Sequence, residues 1–242
     1  MGTPAVHAVF GYVLSIGLGG GGGGSVTRSP GGPLGCGEGG LCSAAYAAGA
    51  TVTLTATPDA ESRFDGWSGA CTGDDPTCVV EMDAARGVTA TFSLLPKYRP
   101  DALVKLKTDP SYLGGDLYET GGVGQTRTVT ARRSTTKTFL VAAQNDGTVT
   151  DDFTVAGSTW AAGFTVRYLA TKWGSTDVTA AVKAGTYRIE NVPAGATRYV
   201  RMVVTVKPGA TIGALLRRLV RITSLTDPDV KDAARGTVRV VA

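Results

Sequence analysis

Four cysteines, all in the first third of a 242-residue chain, fall in two close pairs, Cys36/Cys42 and Cys71/Cys78. No C-x-x-C occurs, and the single histidine, His7, stands near the N-terminus. Zinc sites use tighter cysteine spacing, commonly with histidine partners, so two local disulfides are the expected use of these side chains. Each would close a short loop and contribute about 2–3 kcal/mol by restricting the unfolded chain. Disulfides persist in oxidising compartments, which predicts a secreted or cell-surface protein. The same inventory argues against nucleophilic catalysis. His7 stands alone in a tail, and paired cysteines leave no free thiolate.

Glycine is abundant (34 residues), charged residues make up 18%, and the balance of residue types favours turn-rich β-structure over helix. Charge divides the chain. Residues 1–95 hold three basic residues against eight acidic, a net of −5, and residues 96–242 hold 21 against 12, a net of +9. That change of sign near Pro96 marks a domain boundary. The apolar run "AVHAVFGYVLSIGLG" lacks a basic leading segment and is too short to span a membrane. Disulfides without an export signal predict a piece of a longer secreted protein, or a start placed inside one.

Residues 1–11 read as a tail and residues 12–95 as a first module. "YVLSIGL" alternates as a strand, and a short strand at "SVTRS" follows the run Gly19 to Gly24, which fits a flexible linker or a loose hairpin connection. In "ATVTLTATP", Val52 and Leu54 face one side and Thr51, Thr53 and Thr55 the other. A turn at "PDAES" leads to Phe64 and Trp67, then to a loop closed by Cys71 and Cys78, then to strands at "CVVEM" and "VTATF". Phe64, Trp67, Val79 and Phe92 are the expected core of this part. Two prolines in residues 96–100 predict a semi-rigid linker.

Residues 101–242 predict an antiparallel β-sandwich. Nine short strands are expected, at "ALVKLK", "TRTVTARR", "KTFLVAAQN", "DDFTVAG", "FTVRYLAT", "TYRIENV", "RYVRMVVTVKP", "RLVRITS" and "GTVRVVA". The one helical turn expected is at "STDVTAAVKAG", capped by Ser175 or Asp177.

The segment "AAGATVTLTATPDAESRFDGWSGACTGDDPTCVVEMDAARGVTATF" resembles the divergent B-repeat of internalin-type bacterial surface proteins, in its strand, its F-x-GWSG-x-C turn, its second cysteine and its closing M-D-A-A-R-x-V-T-A-x-F. The upstream cysteines in "GPLGCGEGGLCSAAYAAG" are similar to the family's paired-cysteine loop. The resemblance implies a small β-grasp-like module of secreted or surface-displayed multidomain proteins. Residues 125–242 resemble, less specifically, the immunoglobulin-like sandwiches of the cell-adhesion-related and NEW3-like groups, through "FLVAAQNDGTVTDDFTVAG", "DVTAAVKAGTYRIENVPAGATRYVRMVVTV" and "ITSLTDPDVKDAARGTVRV". Such modules bring no catalytic residues with them.

The acidic groups Asp74/Asp75, Asp151/Asp152 and Asp227/Asp229/Asp232 are expected in turns, where aspartate bonds its own backbone, rather than paired across a cleft for glycoside hydrolysis. Calcium could use the oxygens of "DPDVKD" and "NDGTVTDD", although neither has the spacing of the twelve-residue calcium loop. No metal site and no cofactor are expected, and Gly19 to Gly24 lacks the residues of a phosphate-binding loop. Arg132-Arg133 and "LLRRLVR" read as outward strand positions, with Val220 and Ile222 inward and Arg221 outward. Trp160, Trp173 and Tyr168 are the candidate ligand contacts, as a sugar-stacking platform or as packing aromatics. The reading is a mostly β, non-enzymatic extracellular module for spacing, display or adhesion. Its expected partners are an extracellular polysaccharide or cell-wall polymer and other domains of the same polypeptide, with neither nucleic acid nor membrane insertion. The alternative is an ancillary carbohydrate-binding region of a secreted hydrolase.

Overall fold

The computed structural model describes residues 11–33 and 41–242. His7 and Cys36 lie outside them. The chain divides into two compact units, Met1–Leu95 and Pro96–Ala242. It is nearly all β.

The first unit contains β1 (Gly11–Gly19), β2 (Gly24–Ser29), β3 (Gly32–Pro33), β4 (Leu41–Ala47), β5 (Thr51–Pro58), β6 (Ser62–Gly69), β7 (Thr77–Glu81) and β8 (Arg86–Leu94). They form two four-stranded sheets, ordered β4-β1-β8-β6 and β3-β2-β5-β7. β1 and β8 run parallel, and the other pairs are antiparallel. The alternation seen in the sequence is what buries the core. Leu14 and Ile16 of β1, Val52, Leu54 and Ala56 of β5, and Val88, Ala90 and Phe92 of β8 enter one cluster drawn from both sheets. The β-grasp-like module implied by the resemblance has two sheets and, among the described residues, no helix.

Three local expectations change. Phe64 and Trp67 lie within strand β6, which pairs with β8 from Ser62↔Leu94 to Gly69↔Val88. Val79 is 62% exposed, and Val80 takes the core position beside it. Gly19 to Gly24 is neither a linker nor a hairpin, because β1 and β2 belong to different sheets. The run crosses tightly between them. A Cβ on Gly20, whose φ is +92°, would meet the Phe92 carbonyl oxygen at 1.9 Å, and one on Gly24 would meet the Phe92 ring at 2.5 Å.

The second unit contains β9 (Pro100–Leu106), β10 (Thr126–Arg132), β11 (Thr136–Asn145), β12 (Asp151–Gly157), β13 (Phe164–Ala170), α1 (Thr179–Ala184), β14 (Tyr187–Val192), β15 (Thr197–Val206), β16 (Leu215–Ser224) and β17 (Lys231–Val241). A five-stranded sheet, β10-β17-β16-β12-β14, and a four-stranded sheet, β13-β15-β11-β9, supply one core. Its centre is Phe139, Phe153, Tyr168, Met202 and Ile222. All pairs are antiparallel except β10 with β17.

Residues expected as a linker are hydrogen-bonded into this unit. Lys97 N–H donates to Thr148 Oγ1 at 3.0 Å, and the carbonyls of Lys97 and Arg99 accept from Thr148 and Asp146. The short helix has Val178 at its N-cap, without a side-chain cap, in place of the expected Ser175 or Asp177; Asp177 Oδ1 accepts the Thr179 N–H at 2.9 Å, and the helix ends on Gly185 with φ 70°.

Candidate functional site

The cysteine-flanked turn of the first unit is a fastening. Cys71 and Cys78 form a disulfide, and both sit in the core cluster with Trp67. Trp67 is 6% exposed and its indole N–H donates to the Asp75 carbonyl at 2.8 Å. Phe64 stands between Trp67 and Phe92, with ring centroids at 5.2 and 5.5 Å. The acids of this stretch point to separate partners. Asp75 accepts from the Thr77 N–H and hydroxyl, which holds its carboxyl below the ordinary value. Asp83 pairs with Arg86, and Asp65 accepts from Ser93. Cys42 is also disulfide-bonded, while its expected partner, Cys36, lies outside the described residues.

The three candidate aromatics of the second unit do not come together as a platform. Tyr168 is fully buried, as the inward alternation Phe164, Val166, Tyr168, Ala170 of β13 requires. Its hydroxyl donates to the Ser158 carbonyl at 3.0 Å, and burial pushes its pKa up to about 12. Tyr168 is therefore core and not a ligand contact. Trp160 is 83% exposed and Trp173 is 67% exposed. The Trp160 backbone carbonyl accepts from Arg218. The Trp173 ring has the Lys107 and Lys172 ammonium groups at 5.8 and 5.6 Å from its centroid.

Of the acidic groups, Asp227 and Asp229 keep to their turn, where Asp227 Oδ1 accepts the Asp229 N–H. Asp151 and Asp152 open strand β12. Asp151, although buried, accepts from Thr226, and Asp152 accepts from the Asn191 N–H. Among the described residues, no three His, Cys, Asp or Glu side chains gather as a metal ion would need.

Asp232 overturns its expected place in a turn. It lies inside β17 with no exposed surface. Its Oδ2 accepts from Ala102 N–H at 2.6 Å and from Gln125 Nε2 at 2.7 Å, and its Oδ1 accepts from the Glu119 and Ala233 N–H groups, each at 2.8 Å. Asp101, also buried and unnoticed in the sequence, has one donor, the Asp116 N–H, on its Oδ2 at 3.0 Å, while its buried Oδ1 has no partner among the described residues. Burial, then the charges of Asp146 and Asp232, push the Asp101 carboxyl up to about 7, and burial also raises Asp232. With four donors against one, Asp232 is the better-solvated carboxylate of the two. Together with Gln125, whose amide donates to the carbonyls of Ala102 and Leu117, the pair anchors residues 107–125 between β9 and β10. The donors to both carboxylates come from this unit's own backbone and from Gln125.

The outward face of the five-stranded sheet is basic. Val220 and Ile222 are buried and Arg221 is exposed, as the alternation of "LLRRLVR" predicts. Two shallow troughs open on this face. One of about 760 Å³ is lined in part by Lys183, Arg217, Arg221 and Arg235. A second of about 390 Å³ is lined in part by Arg217, Arg235 and Arg239.

Among solved structures, the chain is similar to BcpA, the major pilin subunit of Bacillus cereus, at 11% identity and TM-score 0.33, over 96% of this chain and 69% of that one. It is similar to the major pilin SpaD of Corynebacterium diphtheriae at 9% identity and TM-score 0.30, over 96% and 67%. A family 123 glycoside hydrolase from Clostridium perfringens matches at 10% identity and TM-score 0.37, over 59% of this chain and 27% of that one. No curated protein matches the chain. Residues 14–96, from the first core leucine of β1 to just past the end of β8, match the divergent InlB B-repeat domain.

Proposed function

We propose that this chain is a non-enzymatic structural part of a bacterial secreted or surface protein, serving as a spacer or display module that contacts an extracellular polymer. The observation that carries the reading is the Cys71–Cys78 disulfide, formed inside the segment that matches the B-repeat family. A disulfide buried against Trp67 and Phe64 is a device of oxidising compartments. The second unit adds a rigid two-sheet body in which the buried carboxylate pair stabilises a long loop rather than serving a substrate.

The test is made on the natural host. Membrane-impermeant biotinylation of intact cells, or recovery from the medium, labels or yields the protein, and non-reducing peptide mapping of that material finds Cys71 joined to Cys78. Intracellular protein with both thiols alkylatable overturns the reading.

The carbohydrate-binding alternative is favoured by one observation, the exposed Trp160 ring, which has no aromatic or cationic ring partner among the described residues. Glycan-array binding that vanishes in Trp160→Ala, with the fold retained, supports it. Unchanged binding removes it.

A further inference from the structure

The basic face of the second unit has an order that its charge count does not convey. β16 and β17 are neighbouring antiparallel strands in the register Leu215↔Arg239, Arg217↔Thr237, Leu219↔Arg235 and Arg221↔Ala233. By alternation all eight point away from the core that Leu216, Val220, Ile222, Ala234, Val238 and Val240 enter; Leu215, Arg217, Arg221 and Arg239 are exposed, Leu219 and Arg235 half-buried, and Thr237 and Ala233 buried. Read along the strands, the arginines therefore come as Arg239, Arg217, Arg235, Arg221, alternating between the two strands. Each step is two residues, about 7 Å, and each sideways shift is one strand spacing, about 4.8 Å. Four guanidinium groups form a zigzag row about 20 Å long, with Lys183 at the trough beyond Arg221.

The row is not neutralised. None of these four arginines is in an ion pair among the described residues, and no acidic residue lines either trough. Among the described residues, Arg217, Arg221 and Arg239 make no side-chain hydrogen bond, and Arg235 uses one nitrogen to donate to the Gly121 carbonyl. The other lining is small, polar or aliphatic: Thr126, Thr128 and Thr237 in one trough, Gly157 and Ser158 in the other, with Leu215 and Leu219 between the arginines. The two strands place no aromatic side chain on this face.

We infer that the Arg239–Arg217–Arg235–Arg221 row is a docking surface for a linear, base-free phosphodiester polymer, of the polyol-phosphate type. The guanidinium fork matches phosphate oxygens bidentately and stays charged at every pH the protein meets. Three backbone bonds of an extended chain span about 3.3–3.6 Å, so the six bonds between phosphates in a three-carbon polyol phosphate span about 7 Å, the step of the row. A nucleic-acid strand has the same six bonds, but proteins that hold single strands stack the bases on aromatic side chains, which this face lacks. The inference rests on the extracellular reading and names its partner. Binding in solution and surface exposure in the host are separate measurements, so either can fail alone.

The experiment immobilises the full chain and measures binding of synthetic poly(glycerol phosphate) and of oligothymidylate with the same number of phosphates. Poly(glycerol phosphate) binds the parent protein and weakens steeply with added salt, as counterion release demands. Arg217→Thr/Arg221→Thr, which removes two exposed side chains without partners, lowers affinity about tenfold or more at physiological ionic strength. Arg217→Lys/Arg221→Lys keeps more of the binding than the threonine pair. Lys105→Thr/Lys107→Thr, from β9 and its following turn, leaves binding unchanged. Circular dichroism of each variant confirms the fold. No binding by the parent, equal binding by the threonine variant, or tighter binding of oligothymidylate would each overturn the inference.

Discussion

The carboxylate of Asp232 accepts the backbone N–H of Ala102 at 2.6 Å, a bond between residues 130 positions apart. It joins β17 of one sheet to β9 of the other, and the same carboxylate takes three further donors from Gln125, Glu119 and Ala233. Asp232→Ala strands the Ala102 and Glu119 N–H groups, while Gln125 keeps the Ala102 and Leu117 carbonyls and the Ala233 N–H keeps the Glu119 carbonyl. Each unsatisfied buried donor costs about 1–3 kcal/mol, so the second unit loses about 2 kcal/mol or more. Urea unfolding reads this as a fall in the midpoint, and it also exposes Lys105 and Lys107 beside the loop to faster proteolysis. An unchanged midpoint contradicts the anchoring role.

The partner Asp101 gives a pH dependence of definite sign. Its carboxyl is raised from 3.8 to about 7, chiefly by burial. Between those values the folded protein holds a proton that the unfolded chain has released, so stability falls as pH rises through this window and levels off above it. The steepest slope is about 1.4 kcal/mol per pH unit. Because the charge of Asp232 acts on Asp101, the titration belongs to the pair. Asp101→Asn keeps a neutral hydrogen-bonding side chain and flattens the decline between pH 4 and 7. Denaturation midpoints of the parent and variant, measured across that range, make the comparison.

The contrast between legible and illegible elements has a physical cause. The nine strands of the second unit are readable because most bury one face, which writes period-two alternation into the residues, while β11 buries both and reads as the apolar run Phe139–Ala143. Tyr168 carries the same signal, since it shares the inward parity of Phe164 and Val166. β6 was lost because its register slips between Phe64 and Gly66, which breaks the alternation at the point where it would have been recognised. Asp101 and Asp232 were illegible for a different reason. A buried acid is tolerable only with partners, and all of theirs but the adjacent Ala233 lie 15 to 130 residues away. The arginine row needed the β16–β17 register, which no single strand contains.

In the first unit, the disulfide and the indole hydrogen bond separate cleanly. Cys71→Ala/Cys78→Ala removes a constraint on a short loop and lowers stability by about 2–3 kcal/mol. Trp67→Phe keeps most of the ring packing but strands the Asp75 carbonyl that its N–H serves at 2.8 Å, a loss of about 1 kcal/mol. Reductant destabilises the parent and Trp67→Phe while leaving the alanine pair's Cys71–Cys78 contribution already absent. Thermal melts with and without reductant test this. A parent protein insensitive to reductant contradicts it.

The glycine run supplies the sharpest local contrast. Gly24 and Gly21 are three residues apart in the same crossing, yet a Cβ at Gly24 would lie 2.5–2.7 Å from three atoms of the Phe92 ring, whereas one at Gly21 would meet nothing within 4 Å. Phe92 is 1% exposed and packs against Phe64, so its ring has no room to withdraw. Gly24→Ala therefore overpacks the core and costs about 1–3 kcal/mol. Gly21→Ala falls at a position without positive φ and only narrows the unfolded ensemble, so it is neutral or stabilises by about 0.4–1 kcal/mol. Paired denaturation curves decide the matter. Equal effects at the two positions would show the run to be the slack linker its composition predicts, and opposite signs identify it as a close-packed crossing between sheets.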